Sequence, residues 1–154
     1  MKLALVSDAL DATSGWGRYA GELARELIAA GVDIRLVSPR SMATMPDLRD
    51  YSDHREIPSF QHGRRHPLRV FLRTFPPLLR ALRGVDVVHC MVEPYAPTVA
   101  LAAGRRPYFV SLVGTYSVLS GRPWMERWPL RWSLRRARGL PAISRYTRRL
   151  VESD

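Results

Sequence analysis

Apolar positions along the chain follow two alternating rhythms. Leu3 to Ser7 is a short, nearly continuous apolar run, as expected of a strand buried on both faces of a parallel sheet. From Arg18 to Ala30 the rhythm changes. Tyr19, Leu23 and Leu27, and beside them Ala20, Ala24 and Ile28, recur at i, i+4 and i+8, while Arg18, Glu22, Arg25 and Glu26 fall on the other side. This predicts an amphipathic helix, which Gly31 stops by supplying a left-handed position. "DIRLVSPR" is a second strand closed by Pro39. Ser41 to Ser59 is polar, holds two prolines and has no period, so it reads as a long loop or an insertion. Helical character returns over Leu68 to Arg83, where Pro76-Pro77 is expected to break or kink it. "VDVVHCMVE" is a third strand, "PYAPTVALAAG" a small-residue helix ending at Gly104, and "PYFVSLV" a fourth strand. A basic helix over Trp124 to Arg138, a short fifth strand "GLPAIS" and a last helix over Arg145 to Glu152 complete the pattern.

Strands alternating with helices predict one α/β domain over residues 1–154, a Rossmann-like three-layer sandwich with a mostly parallel sheet and right-handed crossovers. Ligands of such sheets gather beyond the carboxyl ends of the strands. Attention therefore falls on residues 8–18, 38–40, 89–95, 114–120 and Ser144.

Gly15-Trp16-Gly17-Arg18-Tyr19-Ala20 formally matches G-x-G-x-x-G/A, the dinucleotide fingerprint. Seven residues separate Ser7 from Gly15, however, whereas in that fingerprint the first glycine follows the strand almost at once. The acid expected at the end of the second strand is missing too, since that strand ends in Ser38-Pro39-Arg40. An arginine there suits a 2′-phosphate, so an NADP-binding domain stays open as an alternative. The other reading uses the same physics differently. A glycine loop entering a helix presents backbone N–H groups and the positive end of the helix dipole to a phosphate, and glycines let a diphosphate approach the backbone. A purely structural turn is the third possibility.

At this point the order "SGWGRYAGELARELIAAG…VDVVHCMVEPYAP…RRPYFVSLVGTYS…GLPAISRYTRRL" resembles the N-terminal domain of glycosyltransferase family 4, retaining and metal-independent enzymes of the two-domain GT-B fold. The resemblance covers nearly the whole chain. It implies sugar transfer from a nucleotide diphosphate sugar to a glycan or lipid-linked acceptor, with Gly15, Gly17 and Arg18 at the donor phosphates. It also implies that most donor recognition belongs to a C-terminal domain absent from these residues, so that the chain alone is inactive or acts as a non-catalytic module beside a separate catalytic chain. Many members carry a histidine after the fourth strand, where this sequence has Val113, so no catalytic residue is carried over. Asp8, His89, Glu93, Tyr95, Gly114, Thr115 and Tyr116 lie where an acceptor or the cleft would be, with Asp8 either orienting the glycine loop or capping its turn.

Composition narrows the partners. Cys90 is the only cysteine, and His54, His62 and His66 lack ligand spacing, so neither a disulfide nor a metal is expected. The apolar run at the N-terminus is too short for a membrane span and is interrupted by Asp8, which fits a cytoplasmic chain. The net charge of +10 rests on arginine, Lys2 being the only lysine, and calls for an acidic partner. Arg64, Arg65, Arg69, Arg73 and Arg80, interleaved with leucines and phenylalanines, have the profile of an amphipathic element on an anionic bilayer. Trp124, Arg127, Trp128 and Arg131 form a second such patch. The simpler reading is that both helices pack their apolar faces on the sheet. Nucleic acid is disfavoured, because no recognition-helix, zinc-finger or aromatic RNA-binding pattern accompanies the charge.

Overall fold

A computed structural model of the chain describes residues 1–60, 67–114 and 124–152. Its sheet has five parallel strands, β1 (Lys2–Val6), β2 (Asp33–Ser38), β3 (His54–Glu56), β4 (Val87–Cys90) and β5 (Tyr108–Val110), in the spatial order β3-β2-β1-β4-β5. The helices are α1 (Gly15–Ala29), α2 (Pro46–Arg49), α3 (Pro67–Ala81), α4 (Ala96–Ala103), α5 (Trp124–Arg136) and α6 (Arg145–Glu152). Alternation along the strands builds two cores. Leu5, Ile34 and Leu36 face α1 with Ala20 and Ala24, while Ala4, Val6, Val37, Val88 and Cys90 face the layer formed by α3, α4 and α5. Burial between these layers raises the Cys90 thiol far above its ordinary pKa.

Helix α1 ends as its sequence predicts. Gly31 has φ +73°, its N–H donates to Ile28 O and the Val32 N–H to Leu27 O, the paired bonds of a Schellman motif. Gly21 is buried where α1 meets Met45, and a Cβ there would collide with the Met45 sulfur.

Four expectations need correction. Helix α1 begins at Gly15 rather than Arg18, so the glycine pair lies in its first turn. The stretch 41–59 is not structureless: it holds the end of a 3-10 turn (Arg40–Met42), α2 and β3. Strand β3 escapes the apolar pattern because it is a polar edge strand, fastened by His54, whose ring Nε2 lies 2.9 Å from Ser38 Oγ. Pro76 and Pro77 do not break α3. The carbonyls they leave without a helical donor belong to Leu72 and Arg73, residues on the exposed side where water reaches them. Finally, "GLPAIS" runs beside β5 only through isolated bridges, Phe109 with Gly139 and Leu112 with Ala142, because Pro141 has no N–H to give a ladder.

The amino ends of the strands are tied by charge. Asp53 accepts from Lys2 Nζ (2.9 Å), Arg35 Nε (2.9 Å) and Arg55 Nε (3.1 Å). Burial pushes its carboxyl up, but Arg35 and Lys2 outweigh it and hold the pKa at about 2. Arg35 also donates to Ala81 O and Arg83 O at the carboxyl end of α3, matching a cation to exposed helix carbonyls.

Candidate functional site

The strand order reverses between β1 and β4. The chain leaves β1 toward β2 on one side and returns to β4 on the other, so the connections diverge and leave a crevice beyond the carboxyl ends of these two strands. The N-terminus of α1 stands over it. Asp11 builds the turn that places it there, its carboxylate accepting from Thr13 N (2.8 Å), Thr13 Oγ1 (2.7 Å), Ser14 N (2.6 Å) and Ser14 Oγ (2.8 Å). Burial pushes this carboxyl up, yet the bonds from Ser14 and Thr13 outweigh it and its pKa lies below the usual value. Ser14, in extended conformation, is the N-cap, and its Oγ accepts from Gly17 N at 3.1 Å.

The two glycines do different things. A Cβ on Gly17 would run into Asp11 Oδ2 and lie 2.5 Å from Ser14 Oγ, so its missing side chain makes room for the cap itself. A Cβ on Gly15 would meet nothing within 4 Å. Gly15 is the first helical residue and is exposed, as is Arg18, and its N–H is one of those an α-helix leaves without an internal partner. Trp16, between them, is half-buried against the larger core and anchors this turn to the sheet. An anion at Gly15 would meet N–H donors and the positive end of a 15-residue helix.

The opposite wall comes from β4 and β5. Glu93 is fully buried in the 3-10 turn after β4, and its Oε1 accepts from Val113 N at 2.8 Å, tying the two strand ends together. Gly114 follows with φ +94°, a conformation that favours glycine, and a Cβ there would lie 3.4 Å from Thr147 Oγ1. Thr147 belongs to the α6 start, where Ser144 Oγ accepts from Thr147 N at 3.0 Å.

Asp8 and Tyr95 are brought together, but inside the wall. Tyr95 Oη lies 2.7 Å from Asp8 Oδ1 and 2.9 Å from Pro58 O, and Asp8 also accepts from Phe60 N (3.0 Å) and Ser59 Oγ (3.1 Å). These bonds run to residues 58–60 and not to the glycine turn, which Asp11 organises instead. Burial and the neighbouring carboxylate push the Tyr95 hydroxyl up, so it stays protonated. His89 points to the α1 face, Nε2 2.9 Å from Ser111 Oγ, which lies 3.4 Å from Tyr19 Oη. Burial lowers its pKa to about 4, so the ring is neutral near pH 7.

Of the remaining candidates, Arg64, Arg65, Thr115 and Tyr116 lie outside the described residues, as does the side chain of Trp124. Arg69, Arg73, Arg80, Arg127, Trp128 and Arg131 are exposed on α3 and α5. Among the described residues no group of three or more His, Cys, Asp or Glu is placed to hold a metal, and no helix is long and apolar enough to cross a membrane. Asp11, Ser14 and Trp16 are the site residues that periodicity did not single out. Their local signal was an Asp three positions before a helix-capping Ser.

A parallel sheet of this order, with a helix N-terminus at its switch point, defines a Rossmann-like α/β domain. The chain belongs to Glycosyltransferase Family 4, whose sequence profile matches residues 13–154. The fold is consistent with one half of a GT-B architecture, and the family gives the chain a glycosyltransferase-type role. No curated protein sequence matches it significantly.

Gly17→Ala should destabilise the fold by about 1–3 kcal/mol through overpacking of the Asp11–Ser14 cap, while Gly15→Ala should be neutral or slightly stabilising. Urea unfolding of both variants checks this, and equal losses would contradict the division of roles.

His89 sets a pH dependence. Its ordinary pKa of 6.5 applies to the unfolded chain and about 4 to the folded one, so between these values the unfolded state binds more protons. Stability is full above pH ~6.5, falls by up to about 3 kcal/mol as pH drops toward 4, and is flat in this term below that. His89→Gln should remove the loss seen in urea titrations between pH 6.5 and 5, a window above the range where Asp53 and Asp11 begin to protonate. An unchanged pH profile in His89→Gln would contradict this.

Proposed function

We propose that this chain is the acceptor-side half of a retaining glycosyltransferase, with the first turn of α1 meeting the diphosphate of a nucleotide-sugar donor held mainly by a second, C-terminal domain. The observation that carries the proposal is the open N-terminus at Gly15, set over the β1/β4 crevice by a cap that consumes Asp11, Ser14 and Gly17 internally. The chemistry follows from charge. Departure of a nucleoside diphosphate develops negative charge on the phosphate oxygens, and pre-aligned N–H donors, the α1 dipole and Arg18 stabilise it without a metal. The neutral His89 and the buried Glu93 and Tyr95 keep the crevice walls in place, and the acceptor, a glycan or lipid-linked sugar, enters along the β4 and β5 ends. In this reading no residue of the chain acts as a covalent nucleophile.

Donor selectivity also separates this reading from NADP binding, because Gly17 serves the cap and not a pyrophosphate. Titrating the chain with UDP- and GDP-sugars and with NADPH, for wild type and Gly15→Val, is the test. A sugar nucleotide should bind, and the β-branched side chain beside the Gly15 N–H should weaken it by roughly tenfold or more, the loss expected for about one charge-assisted hydrogen bond. Binding of NADPH with no response to either sugar nucleotide would overturn the proposal.

A further inference from the structure

Helix α3 carries one broad apolar arc, of which the fold buries one edge and leaves the other exposed. Leu78 and Leu82, the latter just past the helix end, are fully buried against the sheet. Leu68, Leu72 and Leu79 are 69%, 61% and 41% exposed. Counting roughly 100° per residue, these three fall in one strip about 40° wide, and Arg69, Arg73 and Arg80 form a parallel strip about 100° further round. All three arginines are exposed. Residues 57–85 contain no acid. Beyond the arginine strip, Arg80 joins Arg55 and Arg83 around an open cleft of about 500 Å³, whose single acid is Glu56.

Placement strengthens the case. Of the nine large apolar side chains exposed among the described residues, five lie on the α3–α4–α5 layer: the three leucines, Leu101 of α4 and Trp128 of α5. The body of α1, through Ala20 and Ala24, packs on the opposite face of the sheet, while Trp16 in its first turn packs against the core beneath this layer.

We infer that the outer face of α3 docks on an anionic lipid bilayer, the leucine strip entering the headgroup and acyl boundary while the arginine strip pairs with lipid phosphates. Charge complementarity selects this occupant. An apolar strip alone fits another protein equally well, but an acid-free arginine row beside it fits a surface dense in negative charge and apolar just beneath. A second copy of this chain would oppose the same arginines to themselves, and nucleic acid would leave the leucines in water. This inference stands apart from the donor-site proposal, since its test uses no sugar nucleotide.

The test is sedimentation of the full chain with vesicles of phosphatidylglycerol and phosphatidylcholine, and of phosphatidylcholine alone, at low and high salt. Binding should require the anionic lipid and weaken with salt. Leu68→Asn/Leu72→Asn should lower partitioning by roughly tenfold or more, and Arg69→Ala/Arg73→Ala/Arg80→Ala should do the same and flatten the salt dependence. Because all five positions are exposed, circular dichroism should show native folding in both variants. Equal binding to neutral vesicles, arginine-dependent binding indifferent to the leucines, or a dimer in solution that Leu72→Asn dissociates without any vesicle binding would each overturn the inference. So would a duplex oligonucleotide that binds wild type and the leucine variant alike while vesicles bind neither.

Discussion

Everything in this fold depends on β1 being paired on both sides. Its five residues run parallel to β2 on one edge and to β4 on the other, and its alternate side chains enter both cores. A strand so placed must be apolar on both faces, and the chain must cross the sheet in opposite directions on either side of it. The crevice is the geometric remainder of that reversal. Acids and hydroxyls at the end of β1 therefore divide between holding the walls and leaving one helix end open.

That division is sharp. Asp8 and Asp11 are three residues apart, and both are buried, yet they serve unrelated contacts. Asp8 ties β1 to Tyr95, 87 positions away, and to residues 59–60, while Asp11 accepts only from its own turn. With Ser14 and Gly17 absorbed by the cap, Gly15 and Arg18 are the exposed residues of the α1 first turn among the described residues. Leaving a buried carboxylate without these partners would be costly, so the turn is rigid before any ligand arrives.

Where burial and period coincide, the sequence was readable. The apolar run of β1, the i, i+4, i+8 rows of α1, Gly31 and the bounds of α6 all correspond to observed elements. Strand β3 was hidden because His54-Arg55-Glu56 forms an edge whose stability comes from backbone pairing and one buried histidine, neither of which leaves an apolar rhythm. For α3 the sequence showed the leucines within one broad arc, and only the fold separates the buried Leu78 from the exposed Leu79. The glycine pair was legible as a motif but not as two roles, since the collision that explains Gly17 comes from an aspartate whose orientation the pattern does not give. The Asp8–Tyr95 contact had no local signal at all.

Two exposed features remain, the first turn of α1 and the leucine–arginine face of α3. The central claim is the first of these, that the α1 terminus is the anion site. The direct measurement is an amide NMR titration of the isotopically labelled chain with UDP-glucose and GDP-mannose. The largest shifts should fall on Gly15 and its neighbours through Arg18, with the capped Gly17 amide moving less than Gly15. Saturable shifts confined to other strand ends, with Gly15 unmoved, would contradict it.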